Sequence, residues 1–234
     1  MKYFWDSWEN KTKIEKAAIA AAKTAKSIIL KSIPRNELLA IYVKGSLVRR
    51  ELNAKSDVDI VTILKTNKYK AKMDEIDRNH QLKSSKMEFT SFSMWELKNN
   101  KHFINNRVRA KPDLFVQKIN HYKLIYGKKI KTTGFKRRTQ TKILKDRIDA
   151  FNKYFIPLYK KGKFKFSELI KQVFWLVEIN EKKIFKSWEE INRAIKDKAN
   201  IIHEAYKFRL KAPKSKRIMD NFVKKIEVYL SELR

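Results

Sequence analysis

The stretch Val43-Lys44-Gly45-Ser46-Leu47-Val48-Arg49-Arg50-Glu51-Leu52-Asn53-Ala54-Lys55-Ser56-Asp57-Val58-Asp59-Ile60-Val61 decides the fold. It opens at the end of an apolar run, Leu38 to Val43, which reads as a buried strand entering a turn. Gly45 permits close backbone approach, and Ser46 can cap a short helix and offer its hydroxyl to a phosphate. Ten residues beyond Ser46 comes Asp57-Val58-Asp59, running into a second apolar strand, Val58 to Leu64. Residues two apart on a strand share a face, so both carboxylates point the same way. Such a pair repels itself unless it shares cations.

An oxygen-only, carboxylate-led site suits magnesium, which keeps waters and substrate phosphates in its shell. Two ions roughly 3.5–4 Å apart would serve an in-line phosphoryl displacement. A third acid would complete the set. Glu88 lies between Met87 and Phe89 on an expected strand over 86–92, so it points away from their apolar face. It could reach the same ions or act as general base toward a hydroxyl. Asp113 is the alternative, although Pro112 beside it reads as a helix start. Arg49 and Arg50 are candidates for phosphate contacts, or a solvated loop pair.

Working outward, residues 10–32 carry an apolar face through Ile14, Ala17, Ala18, Ala21, Ile28 and Ile29, and Pro34 ends that helix. Tyr69, Met73, Ile76 and Leu82 mark a helix over 68–83, and Ser93 to Glu96 forms a capping box. Residues 113–130 read as a helix or strand followed by a terminal strand at Leu124-Ile125-Tyr126-Gly127. Beyond about residue 132 strand signals cease. Four apolar helical faces follow, around Leu144–Leu158, Phe166–Val177, Trp188–Tyr206 and Ile218–Leu233, which read as a four-helix bundle. Its aromatic residues, Trp175 and Trp188 included, read as core. The expected division is a catalytic domain at 1–132 and a helical domain at 133–234.

The Gly45-Ser46, Arg49, Ser56-Asp57-Val58-Asp59 pattern resembles the DNA polymerase β-type nucleotidyltransferase superfamily, over roughly residues 35–130. The resemblance implies an α+β fold: a mixed sheet flanked by helices, followed by the helical bundle seen in smaller members. It implies that Asp57, Asp59 and Glu88 bind two Mg2+ ions and form the catalytic set. It implies that Gly45, Ser46, Arg49 and Ser56 hold a nucleoside triphosphate. The activity implied is transfer of a nucleoside monophosphate to an acceptor hydroxyl. One departure concerns Arg50, at a position where members often carry glycine.

Composition bears on the acceptor. The 234 residues hold 56 Lys+Arg against 25 Asp+Glu, a formal charge of +31. Self-repulsion of that size is relieved by a polyanion, and nucleic acid is the natural one. The expected acceptor is therefore RNA, such as a tRNA-like end. The alternatives are adenylylation of a small molecule such as an aminoglycoside, adenylylation of a protein, and a non-catalytic nucleic-acid-binding protein. The lysines of the first helix read as a solvated face, and the basic run from Lys207 to Arg217 as a solvated loop or a phosphate track. No cysteine is present, which excludes disulfides and thiolate zinc sites, and His80, His102, His121 and His203 form no ligand pair. Residues 1–10 lack the apolar core of a signal peptide, and no apolar run approaches membrane-spanning length, so a soluble cytoplasmic protein without membrane contact is expected.

Overall fold

A computed structural model describes residues 2–54, 56–82, 86–103 and 111–233, with 81 and 82 as backbone only. The chain divides into two compact units, Met1–Arg137 and Arg138–Arg234. In the first, the order is α1 (Lys13–Ser32), β1 (Leu38–Lys44), α2 (Ser46–Arg49), β2 (Val58–Leu64), α3 (Lys70–Leu82), β3 (Met87–Ser93), α4 (Met94–Asn99), α5 (Pro112–Lys118) and β4 (Lys123–Gly127). The four strands form one mixed sheet in the order β3-β2-β1-β4. β1 is antiparallel to β2 and β4, and β2 is parallel to β3. The C-terminal end of β1 therefore lies beside the N-terminal ends of β2, β3 and β4.

Strand alternation splits the core into two layers. Ile41, Val43, Val58, Ile60, Phe89 and Ile125 pack with Ala18, Ala22, Ala25 and Ile29 of α1 and with Met73 and Ile76 of α3. The opposite side chains, Ala40, Tyr42, Val61, Ile63 and Phe92, pack with Leu97 of α4 and with Phe115 and Val116 of α5. Both faces are covered, which is why β1 and β2 read as continuous apolar runs. The N-terminal segment lies in the first layer through fully buried Trp5. The apolar face expected for α3 holds at Met73 and Ile76; Leu82 lies outside the described side chains.

Helix boundaries follow their caps. Thr12 and Glu15 form a reciprocal capping box that opens α1, and Ser93 with Glu96 does the same for α4. The expected strand or helix at 113–118 is helical, starting at Pro112, and β4 follows at Lys123.

The regular elements of the second unit, among its described residues, are all helical: α6 (Gln140–Ala150), a π-helical turn (Phe151–Phe155), α7 (Ile156–Lys160), α8 (Phe166–Asn180), α9 (Trp188–Ala194), α10 (Ile201–Leu210) and α11 (Lys216–Glu232). Its core centres on α8, which buries Leu169, Ile170, Val173, Phe174, Leu176 and Val177. The third expected helical face is split between α9 and α10. Asp197 accepts from Ala199 N–H at 2.9 Å, and Asn200 caps α10 by accepting from Ile202 N–H at 3.0 Å. These short polar side chains satisfy the backbone locally and interrupt a helix that apolar spacing alone would continue.

Candidate active site

The site is built where β1 ends. Lys44, the last residue of β1, pairs across the sheet with Asp59, and Asp59 pairs in parallel register with Glu88. Lys44 follows Ala40 and Tyr42 in alternation, Asp59 precedes Val61 and Ile63, and Glu88 precedes Phe92. All three side chains therefore belong to the sheet face that α4 and α5 cover. Asp57 shares this parity and immediately precedes β2. Asp59 stands beside Glu88 of the adjacent strand in this register, and Asp57 acts on Glu88 as a like charge from just before β2.

Asp59 is the central group. Lys44 Nζ donates to its Oδ1 at 3.0 Å, with the side chains 28% and 19% exposed. Its other oxygen packs over Gly45, where a Cβ would sit 2.0 Å from Oδ2. Gly45 has φ +74°, a left-handed conformation that side chains disfavour. Both constraints call for glycine, and together they bring the turn against the carboxylate.

The electrostatics identify the group that crowds this edge. Packing around Glu88 disfavours its charge, and Asp59, Asp57 and Asp77 push the same way against Lys44, so its pKa is raised. The residue keeps an open solvent face, which limits the first effect and leaves the like charges prominent. Lys44 is pushed up in turn: burial works against its charge, but Asp59, Tyr122 and Glu88 outweigh it. Among the described residues no three Asp, Glu or His side chains are gathered as a preformed metal cage. Positive charge at Asp59 is supplied by Lys44.

Ser46 opens α2, a single turn, and its carbonyl accepts from Glu51 N–H at 3.0 Å. Arg49 Nε donates to Glu51 at 2.7 Å. Ser56 Oγ accepts from Asn53 N–H at 2.9 Å, closing the turn that leads into Asp57. Arg50 explains how the departure from glycine is tolerated. It adopts the left-handed conformation itself, with φ 58° and ψ 33°. Its guanidinium donates to Glu15 at 2.7 Å and lies 4.8 Å from the centroid of the Trp8 ring. Hydrogen bonding from Arg50, then from Thr12 N–H, holds the Glu15 carboxyl down to about 2. The N-terminal turn of α1 is thereby tied to α2.

Asp113 sits buried in the first turn of α5, and Asn100 Oδ1 accepts from its N–H at 3.0 Å. It is not among the charges that act on Glu88. The acid that does act there, and that sequence reasoning passed over, is Asp77. It is buried on α3 and accepts from Phe89 N–H at 3.1 Å. Its signal was present: an acid at the buried-face spacing of Met73 and Ile76.

No protein-family model and no curated protein matches the chain by sequence. Among solved structures, a spectinomycin adenyltransferase from Enterococcus faecialis, determined with ATP and spectinomycin, superposes on 92% of this chain and 99% of its own. The TM-score is 0.64 at 14% identity. A Sulfolobus solfataricus protein assigned as a nucleotidyltransferase overlaps 38% of this chain and 82% of its own, at 22% identity and a TM-score of 0.28. The first of these likenesses covers both units, and the chain has the nucleotidyltransferase fold.

Proposed function

We propose that this protein moves a nucleoside monophosphate from a nucleoside triphosphate to an acceptor hydroxyl, releasing pyrophosphate. The observation that carries the reading is Asp59, pressed onto the Gly45 turn and next to Glu88 at the strand edge. A glycine that a single Cβ would jam against a carboxylate marks a turn built for close approach, which a bound triphosphate requires.

The donor set fits magnesium. Asp57, Asp59 and Glu88 offer only oxygen, and Asp57 and Asp59 act on Glu88 as like charges that a bound cation would relieve. Magnesium bound there would neutralise charge on the triphosphate and on the departing pyrophosphate. The chain's own residues do the rest. Gly45 and Ser46 hold the triphosphate against the end of β1. Arg49, kept in place by Glu51, adds positive charge, and Ser56 sets the turn that delivers Asp57. Lys44 orients Asp59. Glu88, with its raised proton affinity, takes the proton from the acceptor hydroxyl. The freed oxygen bonds to the α-phosphorus as the bond from that phosphorus to the bridging oxygen breaks.

The acceptor favoured by charge is RNA, since a protein of +31 attracts a polyanion and repels a cation. A second reading is a small polyhydroxylated amine. It is favoured by the likeness to the spectinomycin enzyme over 92% of the chain and by the local acidity of Asp57, Asp59 and Glu88. A protein acceptor, or binding of nucleic acid without chemistry, would follow only if both fail. The experiment is incubation with each labelled triphosphate and Mg2+, offered total RNA, aminocyclitols and protein in turn. Label in RNA supports the first reading, and label in the small molecule supports the second. EDTA should abolish either transfer. No transfer to any of them would defeat the catalytic reading. No helix among the described residues is long and apolar enough to cross a membrane.

A further inference from the structure

We propose that a basic cleft on the C-terminal half of α1 binds the phosphate backbone of single-stranded RNA. This deepens the RNA reading of the acceptor and rests on it. The cleft, about 440 Å³ in volume, is lined by Tyr3, Lys23, Lys26, Ser27, Leu30, Lys31 and Arg35. Lys23, Ser27 and Lys31 recur every four residues and Lys26 lies three after Lys23, so all four stand on one face of the helix. Arg35 enters from beyond Pro34.

Three observations point to a phosphate chain. First, the lining carries four cations and no acid, and among the described residues no carboxylate pairs with Lys23, Lys31 or Arg35. Like charges gathered around one recess repel each other, and backbone phosphates would relieve that while releasing counterions. Second, part of the recess is held in place. Lys26 Nζ donates to the Tyr3 hydroxyl at 2.9 Å and lies 5.2 Å from the Tyr3 ring and 5.8 Å from the Tyr126 ring. Tyr3 in turn stacks on buried Trp5 at 4.9 Å. A cation held in place in this way is preorganised for a backbone phosphate. Third, Lys23 to Lys31 extends about 12 Å along the helix at 1.5 Å per residue, longer than one phosphate group. A lipid surface fits less well. Interfacial binding needs exposed apolar side chains beside the cations, and the aliphatic lining residue, Leu30, is partly buried against the core.

The test compares two exposed triple variants of the full chain that change net charge equally. One is Lys23→Glu, Lys31→Glu, Arg35→Glu in the cleft; the other is Lys214→Glu, Lys216→Glu, Arg217→Glu in the second unit. The probe is a single-stranded RNA oligonucleotide titrated over a range of salt. The cleft variant should bind at least about ten-fold more weakly near 0.1 M salt, with a log–log salt slope shallower by about 2, as expected for three lost phosphate contacts. The control should lose much less. A neutral cleft triple, Lys23→Gln, Lys31→Gln, Arg35→Gln, should show the same ordering without disturbing the helix end. Equal losses in both Glu triples would overturn the cleft site alone. No RNA binding by the unaltered protein would overturn the site and the RNA reading together. Tripolyphosphate displacing RNA at equal charge would reassign the cleft to a small phosphorylated ligand. Retention on anionic vesicles that RNA cannot reverse would reassign it to a membrane.

Discussion

Lys44–Asp59 and Lys70–Glu96 are both lysine–carboxylate pairs at the border of one sheet, at 3.0 and 3.1 Å. Their surroundings differ. Glu96 is 1% exposed, and its oxygens accept from Ser93 N–H at 2.8 Å, from Phe103 N–H at 2.9 Å and from Lys70, with His102 at 3.8 Å. Lys70 donates also to the Ser91 carbonyl at 2.5 Å and hydroxyl at 3.0 Å. Both carboxylate oxygens there have donors from the chain. Among the described residues Asp59 accepts a hydrogen bond from Lys44 alone, and other acids face it. The first kind of pair welds α3 and α4 to β3. The second kind leaves oxygen free for something the protein must bind. Charge pairing alone does not separate structure from chemistry; the saturation of the carboxylate does.

The largest expected effect on that contrast is Glu96→Ala. It leaves the Lys70 ammonium buried without its partner, which costs about 3–5 kcal/mol. Urea unfolding should show the loss, while transfer per folded molecule stays near the original level. Next is Gly45→Ala. A left-handed residue with a Cβ costs about 1–3 kcal/mol in backbone strain, and the same Cβ displaces Asp59. This variant should lose both stability and transfer, unlike Glu96→Ala.

Acid separates the pairs in the same way. Burial works against the Glu96 charge, but the bonds from His102, Lys70, Phe103 and Ser93 outweigh it and hold its pKa down to about 2. A carboxylate depressed from its ordinary 4.5 stabilises the fold fully above that value and loses this contribution as pH falls from about 4.5 toward 2. Glu88 is shifted upward instead, so as the general base it protonates at a higher pH. On acidification, transfer should fall first and circular dichroism later. Simultaneous loss would mean that the two carboxylates are not distinct in kind. The smallest expected effect is Arg50→Gly. It relieves a left-handed side chain but releases Glu15 and the face of Trp8. A slight net drop in the urea midpoint is expected, with transfer retained.

Much of this was legible in the chain. The apolar runs on either side of Gly45-Ser46 marked β1 and β2, because strands covered on both faces need no polar alternation. Glu88 could be singled out because Met87 and Phe89 on either side of it point the other way. The Lys44–Asp59 bond could not be, since it depends on a register that relates residues 15 apart in sequence through the pairing of two strands. Asp77 and Lys70 lie on the helical face of Met73, where buried charges are legible only once their partners on β3 and α4 are known. The break between α9 and α10 was hidden because Ile195 and Ala199 keep helical spacing, while Asp197 and Asn200 decide the backbone locally.

The measurement that bears most directly on the central claim is the rate of labelled nucleotide transfer per folded molecule, taken side by side for Asp59→Asn and Glu96→Gln. The account predicts that Asp59→Asn falls at least ~10³-fold, a loss of several kcal/mol of transition-state stabilisation, with its fold intact. Glu96→Gln should keep its rate while unfolding at lower urea. Transfer that survives in Asp59→Asn, or that fails in folded Glu96→Gln, would contradict it.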